Sequence, residues 1–244
     1  MKTLIIIPSR LSATRLPGKP LMKINGLSMI SHVFKKAENA NIGEVVVATE
    51  DQEIVDDVKK NGGQVILTKK EHKTGTDRVY EALQKLDYKN IDLIMNLQGD
   101  EPLMNLEDIR NLNTQMIKNK CQLGTLASKI NDKTFYKNIN IVKVKTKENL
   151  DNFNFPEATN FTRKTSEQDK KIYHHLGIYC YEKETLKNFV SYDQSNAEIK
   201  NRLEQLRALE NNISINVALA KSSPIGVDTE EDFLAIKKIM EYKS

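Results

Sequence analysis

Cysteine is almost missing from this chain. Of 244 residues only Cys121 and Cys180 carry thiols, and they have neither CxxC nor zinc-ligand spacing. A disulfide framework and a zinc module are therefore not expected, and two reduced thiols are. Long apolar runs are missing too. Nowhere do 18 apolar residues follow one another, so no spanning helix is expected, and the stretch around "KTLIIIPSR" is too short for a signal peptide. Nor does one sign of charge dominate. The 37 basic and 33 acidic residues leave +4, with lysines scattered instead of blocked, so wholesale nucleic-acid binding is not expected. Repeats and low-complexity linkers are absent. These absences leave a cytoplasmic protein without membrane insertion, built as one domain over 1–244 with a modest insertion.

What the chain does have is alternation. "TLIII", "EVVVAT" (44–49), "QVILT" (64–68) and "DLIMNL" (92–97) are short, β-branched runs. Helical patterns such as "SMISHVFKKAENA" (28–40) and "DQEIVDDVKKN" (51–61) lie between them. This predicts βαβ units and a sheet covered on both faces, with ligands gathering at the carboxyl ends of the strands. From about 123 the rhythm changes. "LGTLASKI", "NIVKVKT" and "YHHLGIYCYE" read as strands in antiparallel additions, which suggests a β-rich insertion at approximately 130–190. A helix over 196–212, a strand "SINVALA" (214–220) and a helix from about 229 follow. The polar "RKTSEQDKK" (163–171) reads as a surface loop.

Three strand exits carry chemistry. "PSRLSATRLPGKP" (8–20) places Arg10, Arg15 and Lys19 in one loop, a way to hold a polyanion through charge-assisted donors, with Gly18 allowing close backbone approach. It is not a Walker A loop, because Ala13 and Pro20 stand where glycine and Ser/Thr are needed, and no GxGxxG is present. "NLQGDEP" (96–102) ends an apolar strand in Gln98, Gly99, Asp100 and Glu101. Asp228 in "GVDTEEDF" (226–233) is a second acid, and two such carboxylates with substrate phosphates would suit magnesium. "HKTGTDRV" (72–79) offers Thr74 and Gly75 before a helix, with Arg78 in its first turn. Taken singly, each motif also reads as an ordinary turn or cap; Thr229 and the acids after it form a helix start.

Together, "IPSRLSATRLPGKPL", "HKTGTDR", "NLQGDEP", "HLGIYCY", "LEQLRAL" and "GVDTEED", in this order, closely resemble the 3-deoxy-D-manno-octulosonate (Kdo) cytidylyltransferase family of lipopolysaccharide synthesis. The resemblance covers nearly the whole chain. It implies an α/β nucleotide-diphospho-sugar transferase (Rossmann-like) fold: a mixed, mostly parallel sheet with an inserted β-rich dimerisation subdomain. It also implies CTP and an acidic 2-keto-3-deoxy sugar as substrates, Mg²⁺ and a homodimer. By the same resemblance Arg10, Arg15 and Lys19 would meet the CTP phosphates. Thr74, Gly75, Arg78 and Gln98 would surround the nucleotide, and Asp100 and Asp228 would hold the metal. Arg163, His175, Tyr179, Glu204 and Gln205 would contact the sugar. Arg15, Lys19, Asp100 and Asp228 are the implied catalytic set, acting by charge during in-line attack of the anomeric hydroxyl on the α-phosphorus. No general base is assigned.

The chain departs from the family on the sugar side. "KTSEQDKK" follows Arg163 where an apolar and aromatic segment is usual, "KNR" (200–202) lacks a common acid, and His174 replaces a frequent arginine. Kdo, an amino-substituted Kdo and another 2-keto-3-deoxy acid all remain open as acceptors. Transfer of UTP or ATP to a sugar phosphate, and a non-catalytic binding role, are the further alternatives.

Overall fold

A computed structural model describes every residue except Ala13, Thr14, Asp87, Lys89, Ile225, Lys243 and Ser244; Ala13, used above to exclude a Walker loop, thus lies outside the described residues. The chain divides into two compact units. The first comprises Lys2–Ile91, Met95–Leu106 and Pro224–Ser244, and the second Met1, Asp92–Ile94 and Glu107–Ser223.

In the first unit, β1 (Thr3–Ser9) is the isoleucine run of the N-terminus. Leu4 to Ile7 have no exposed surface, as expected of a strand buried on both faces. A short hairpin, β2 (Lys23–Ile24) and β3 (Leu27–Ser28), follows. Ser28 then caps α1 (Met29–Asn39), its hydroxyl accepting from the Ser31 amide, the usual remedy for unpaired N–H groups at a helix start. β4 (Gly43–Thr49) pairs in parallel with β1 from Thr3↔Gly43 to Ser9↔Thr49. Glycine is required at that first pair, since a Cβ on Gly43 would fall 1.9 Å from the Thr3 carbonyl oxygen. α2 (Gln52–Lys60) buries Ile54, Val55 and Val58. β5 (Val65–Leu67) adds in parallel to β4, and α3 (Gly75–Lys85) follows. The strand order is β6-β1-β4-β5, where β6 is Leu93–Asn96, of which Met95 and Asn96 belong to this unit.

The second unit begins with α4 (Leu106–Asn119), apart from its first residue, and β7 (Leu123–Ser128). A single turn, α5 (Thr134–Lys137), precedes β8 (Lys143–Thr146) and β9 (Ala158–Thr162). The long β10 (Ile172–Glu182) runs antiparallel to both β7 and β8, and β8 runs antiparallel to β9. The antiparallel additions predicted after residue 123 are therefore present, and the span 130–190 falls inside this unit. α6 (Lys183–Ser191), α7 (Asn196–Asn201) and α8 (Leu206–Glu210) lead to β11 (Ile215–Leu219), which is parallel to β7. The last helix, α9 (Glu230–Tyr242), returns to the first unit, where Phe233 and Ile236 pack with Ile24, Met29 and Val227.

One expected element is corrected. The single helix read over 196–212 is two short helices, because Arg202 adopts the left-handed region at φ 53° and ends α7. Glu198 and Arg207 face each other across that break with two hydrogen bonds, at 2.8 and 2.6 Å. A buried ion pair thus holds the chain in a conformation that costs a non-glycine residue energy.

Candidate active site

A cavity of about 320 Å³ opens in the first unit. The exit of β1 forms one wall with Arg10, Arg15 and Lys19, and the start of α3 forms another with Thr74, Gly75 and Arg78. Gln98 and Asp100 from the loop after β6, and Asp228 before α9, close the lining. All nine residues singled out for the nucleotide and metal side thus face one cavity at strand ends, as the alternating pattern predicts.

The loop after β1 is held in shape by the backbone. Gly18 sits at φ 73°, and its amide donates to the Leu11 carbonyl at 3.0 Å. Only glycine adopts that region cheaply. A 3₁₀ turn over Lys19–Leu21 then lifts Lys19 into the cavity, with Pro20 buried beneath. The Leu11 amide donates to Asp51 Oδ2 at 2.7 Å, tying the loop to the end of β4.

Electrostatically, the acidic end is already balanced. Lys19 Nζ donates to Asp100 Oδ2 at 2.6 Å and to the Val227 carbonyl at 2.7 Å, and it lies 3.9 Å from Asp228 Oδ1. Arg15 pairs with the other Asp228 oxygen at 3.0 Å. The two aspartates, distant in sequence, therefore converge on one ammonium group, and their oxygens are separated by no more than the sum of those two distances. Asp232 is occupied differently: it accepts from the amides of Asp228 and Thr229, capping α9. Asp228 itself is free of that capping duty.

At the opposite wall, Thr74 caps α3 in a reciprocal box. Its hydroxyl accepts from the Asp77 amide at 3.2 Å, and the Asp77 carboxylate accepts from the Thr74 amide at 3.0 Å. This is the reciprocal pairing that satisfies a helix start. Arg78 is buried and already employed: it donates to Thr68 Oγ1 at 2.6 Å, to the Lys69 carbonyl at 3.2 Å and to Glu50. His72 also lines the cavity and contacts Glu81 Oε2 at 2.5 Å. Glu50, Asp51, His72 and Glu81 were not among the expected site residues. The available signal was a pair of acids directly at the carboxyl end of "EVVVAT", where the crevice opens.

The sugar-side candidates all lie in the second unit. The Arg163 guanidinium donates to four backbone carbonyls, of Ile139, Asn140, Asn201 and Arg202. It thereby anchors the chain immediately before Glu204 and Gln205. His175 is buried, contacts Thr125 Oγ1 at 3.0 Å and meets the rings of Phe161 and Tyr179 at 5.0 and 5.5 Å. Burial lowers its pKa to about 3, with the neighbouring His174 contributing. Gln205 is buried and Glu204 half-buried at the start of α8. Lys143, with no exposed surface, donates to the Asn138 and Arg163 carbonyls at 2.7 and 2.9 Å.

This geometry has close relatives. A family model described as Cytidylyltransferase matches residues 4–215. A 3-deoxy-manno-octulosonate cytidylyltransferase of Rhodopseudomonas palustris (strain BisB18) is 42% identical over 243 residues, covering 99% of this chain and 98% of that protein. Its counterpart from Nitrobacter winogradskyi is 41% identical, covering 98% of this chain and 94% of its own. The solved structure of a CMP:2-keto-3-deoxy-manno-octonic acid synthetase complexed with CTP is 32% identical with a TM-score of 0.90, and all of both chains is covered. A UDP-glucose pyrophosphorylase complexed with UDP-glucose shares the fold alone, at 12% identity and a TM-score of 0.74. The chain belongs to the 3-deoxy-manno-octulosonate cytidylyltransferase family and has the mixed, mostly parallel α/β architecture of the nucleotide-diphospho-sugar transferases.

Proposed function

We propose that this protein transfers CMP from CTP to the anomeric hydroxyl of Kdo, releasing pyrophosphate and forming CMP-Kdo for lipopolysaccharide synthesis. One observation carries the reading: in a chain of this family, the three cations after β1 and the two aspartates line the same cavity. Arg10, Arg15 and Lys19 hold the triphosphate. Thr74, Gly75 and Gln98 border the nucleoside, and Arg78, locked by Glu50 and Thr68, fixes the wall against which it rests. As the anomeric oxygen attacks the α-phosphorus and pyrophosphate leaves in line, Arg15 and Lys19 offset charge on the phosphate oxygens.

The donor set suits magnesium. Asp100, Asp228 and the Val227 carbonyl are hard oxygen donors gathered around one cationic position, and Mg²⁺ takes one or two carboxylates with phosphate oxygens and water. Bound there, it supplies charge neutralisation and phosphate alignment. On the acceptor side, Arg163, His175, Tyr179, Glu204 and Gln205 recognise the acidic sugar. We further propose a cytoplasmic homodimer formed through the β-rich span 130–190.

The test is pyrophosphate release by purified protein with CTP and Mg²⁺ across a panel of acceptors: Kdo, an amino-substituted Kdo and other 2-keto-3-deoxy acids. Turnover greatest with Kdo, and with CTP over UTP and ATP, is expected. Background release with every acceptor would overturn the assignment.

A further inference from the structure

Lys19 stands where a divalent ion would be needed. Its ammonium takes Asp100 Oδ2 at 2.6 Å and the Val227 carbonyl at 2.7 Å, and it lies 3.9 Å from Asp228 Oδ1. Arg15 covers the second Asp228 oxygen at 3.0 Å. Two carboxylates thus face two cations, so the charge of the Asp100–Asp228 pair is already offset. Magnesium binds oxygen at roughly 2.0–2.1 Å, so an ion on Asp100 Oδ2 would sit hard against an ammonium hydrogen-bonded to that oxygen. The Lys19 side chain is only 13% exposed, which leaves the ammonium little water to retreat into. A triphosphate in the cavity offers it anionic oxygens instead.

We infer that the Lys19 ammonium and a divalent cation compete for the Asp100–Asp228 pair, so that the cation binds well only when a nucleoside triphosphate draws the ammonium away. Lys19 is then a positioning residue that couples the two ligands, beyond its part in offsetting phosphate charge. Coupling of this kind is reciprocal: metal must strengthen nucleotide binding by the same factor as nucleotide strengthens metal binding. The inference rests on the proposed triphosphate site. The exposed Arg15–Asp228 pair, 58% and 44% accessible, is a weaker competitor because solvent already screens it.

The experiment measures Mn²⁺ binding to the full-length protein by water-proton relaxation enhancement, without nucleotide and with CTP, alongside calorimetric binding of CTP alone. Wild-type protein should bind Mn²⁺ weakly alone and at least about tenfold more tightly with CTP, for charges a few ångströms apart at a half-buried site. Lys19→Met should bind Mn²⁺ alone at least about tenfold more tightly than wild type, and Lys19→Arg should resemble wild type. Lys19→Gln, which keeps a donor for Val227, replaces the methionine variant should that one fail to fold. The gain should vanish when Asp100→Asn is added. Equal Mn²⁺ affinity of the charge-neutral variants and wild type, or wild-type affinity indifferent to CTP, overturns the inference while CTP binding leaves the proposed function standing. Failure of CTP to bind at all sinks the proposed function, and this inference falls with it.

Discussion

The cavity lip of the first unit and the interior of the second hold their charges in opposite ways. In the first, Arg15 and Asp228 are about half exposed and meet at the lip of a cavity. Ion pairs so solvated contribute only about 0–1 kcal/mol, so a ligand can exchange them at little cost. In the second, Glu198 and Arg207 are 4% and 2% exposed, Arg163 donates to four carbonyls, and Lys143 to two. Burial lowers the pKa of Lys143, with the nearby Arg163 charge adding to the effect. The charges at the cavity lip are kept available, whereas Glu198, Arg207 and Lys143, like the buried Arg78–Glu50 pair behind the cavity wall, build the surface on which other groups stand. Substitution at the cavity lip should therefore read out as lost chemistry, and substitution of Glu198, Arg207 or Lys143 as lost stability.

The largest expected effect lies in the second unit. Arg207→Met leaves the buried Glu198 carboxylate with only the Gln194 amide group and the Ser195 backbone N–H as donors, and it uncovers the Phe189 ring over which the guanidinium stands at 4.6 Å. An uncompensated buried charge costs about 3–5 kcal/mol, measured as a fall in urea-unfolding free energy. Replacing both partners, Glu198→Leu with Arg207→Met, should recover most of it. A single substitution costing under about 1 kcal/mol, the value of an exposed pair, would erase the contrast between the units.

Next come the aspartates of the first unit. Asp100→Ala or Asp228→Ala should lower kcat for CMP transfer by about 10²–10³-fold, the usual effect of removing one electrostatic contributor from a site. The unfolding midpoint should barely move, since neither carboxylate is deeply buried. A large drop in stability with activity retained would reverse the assignment of roles.

Acid should then find the second unit. Burial brings the His174 pKa down to about 4, with the charge of Lys143 assisting, and that of His175 to about 3. Against an unfolded value near 6.5, the unfolded chain takes up these protons first. The stability held by the neutral rings is complete above about pH 6.5 and drains as pH falls towards 4. His174→Asn should remove about 2 kcal/mol of the loss between pH 7 and 4.5, and amide exchange in β10 should accelerate over the same range. An unchanged slope would mean that His174 titrates normally.

Legibility in the sequence follows the same division. "TLIII" and "EVVVAT" announce β1 and β4 because a strand buried on both faces needs nothing beyond its own apolar run. Arg15, Lys19, Asp100 and Asp228, which line one cavity, could be picked out because each stands just outside such an element; the roles proposed for them come from the order of motifs. The break at Arg202 could not be read. The spacing of 196–212 is continuous, and what interrupts it is a contact between residues nine apart. Glu50 and Asp51 were missed for a related reason. They act through Arg78 and the Leu11 amide, across 28 and 40 residues, and periodicity carries no trace of such pairs.

The smallest effect tests whether the contrast holds inside a single motif. Thr74 was expected beside the nucleotide, yet its hydroxyl is occupied by the α3 cap, accepting from the Asp77 amide and donating to the Asp77 carboxylate at 2.9 Å. If the cap is its whole contribution, Thr74→Ser keeps the hydroxyl and should behave as wild type. Thr74→Ala should loosen the first turn, where Gly75 faces the cavity, at a cost of about 1 kcal/mol. That loosening should raise KM for CTP a few-fold and leave kcat unchanged, because the first turn orders the wall and touches no reacting atom. A serine variant as impaired as alanine would show that the threonine methyl itself packs on the ligand, and the capping account of this wall would have to be abandoned.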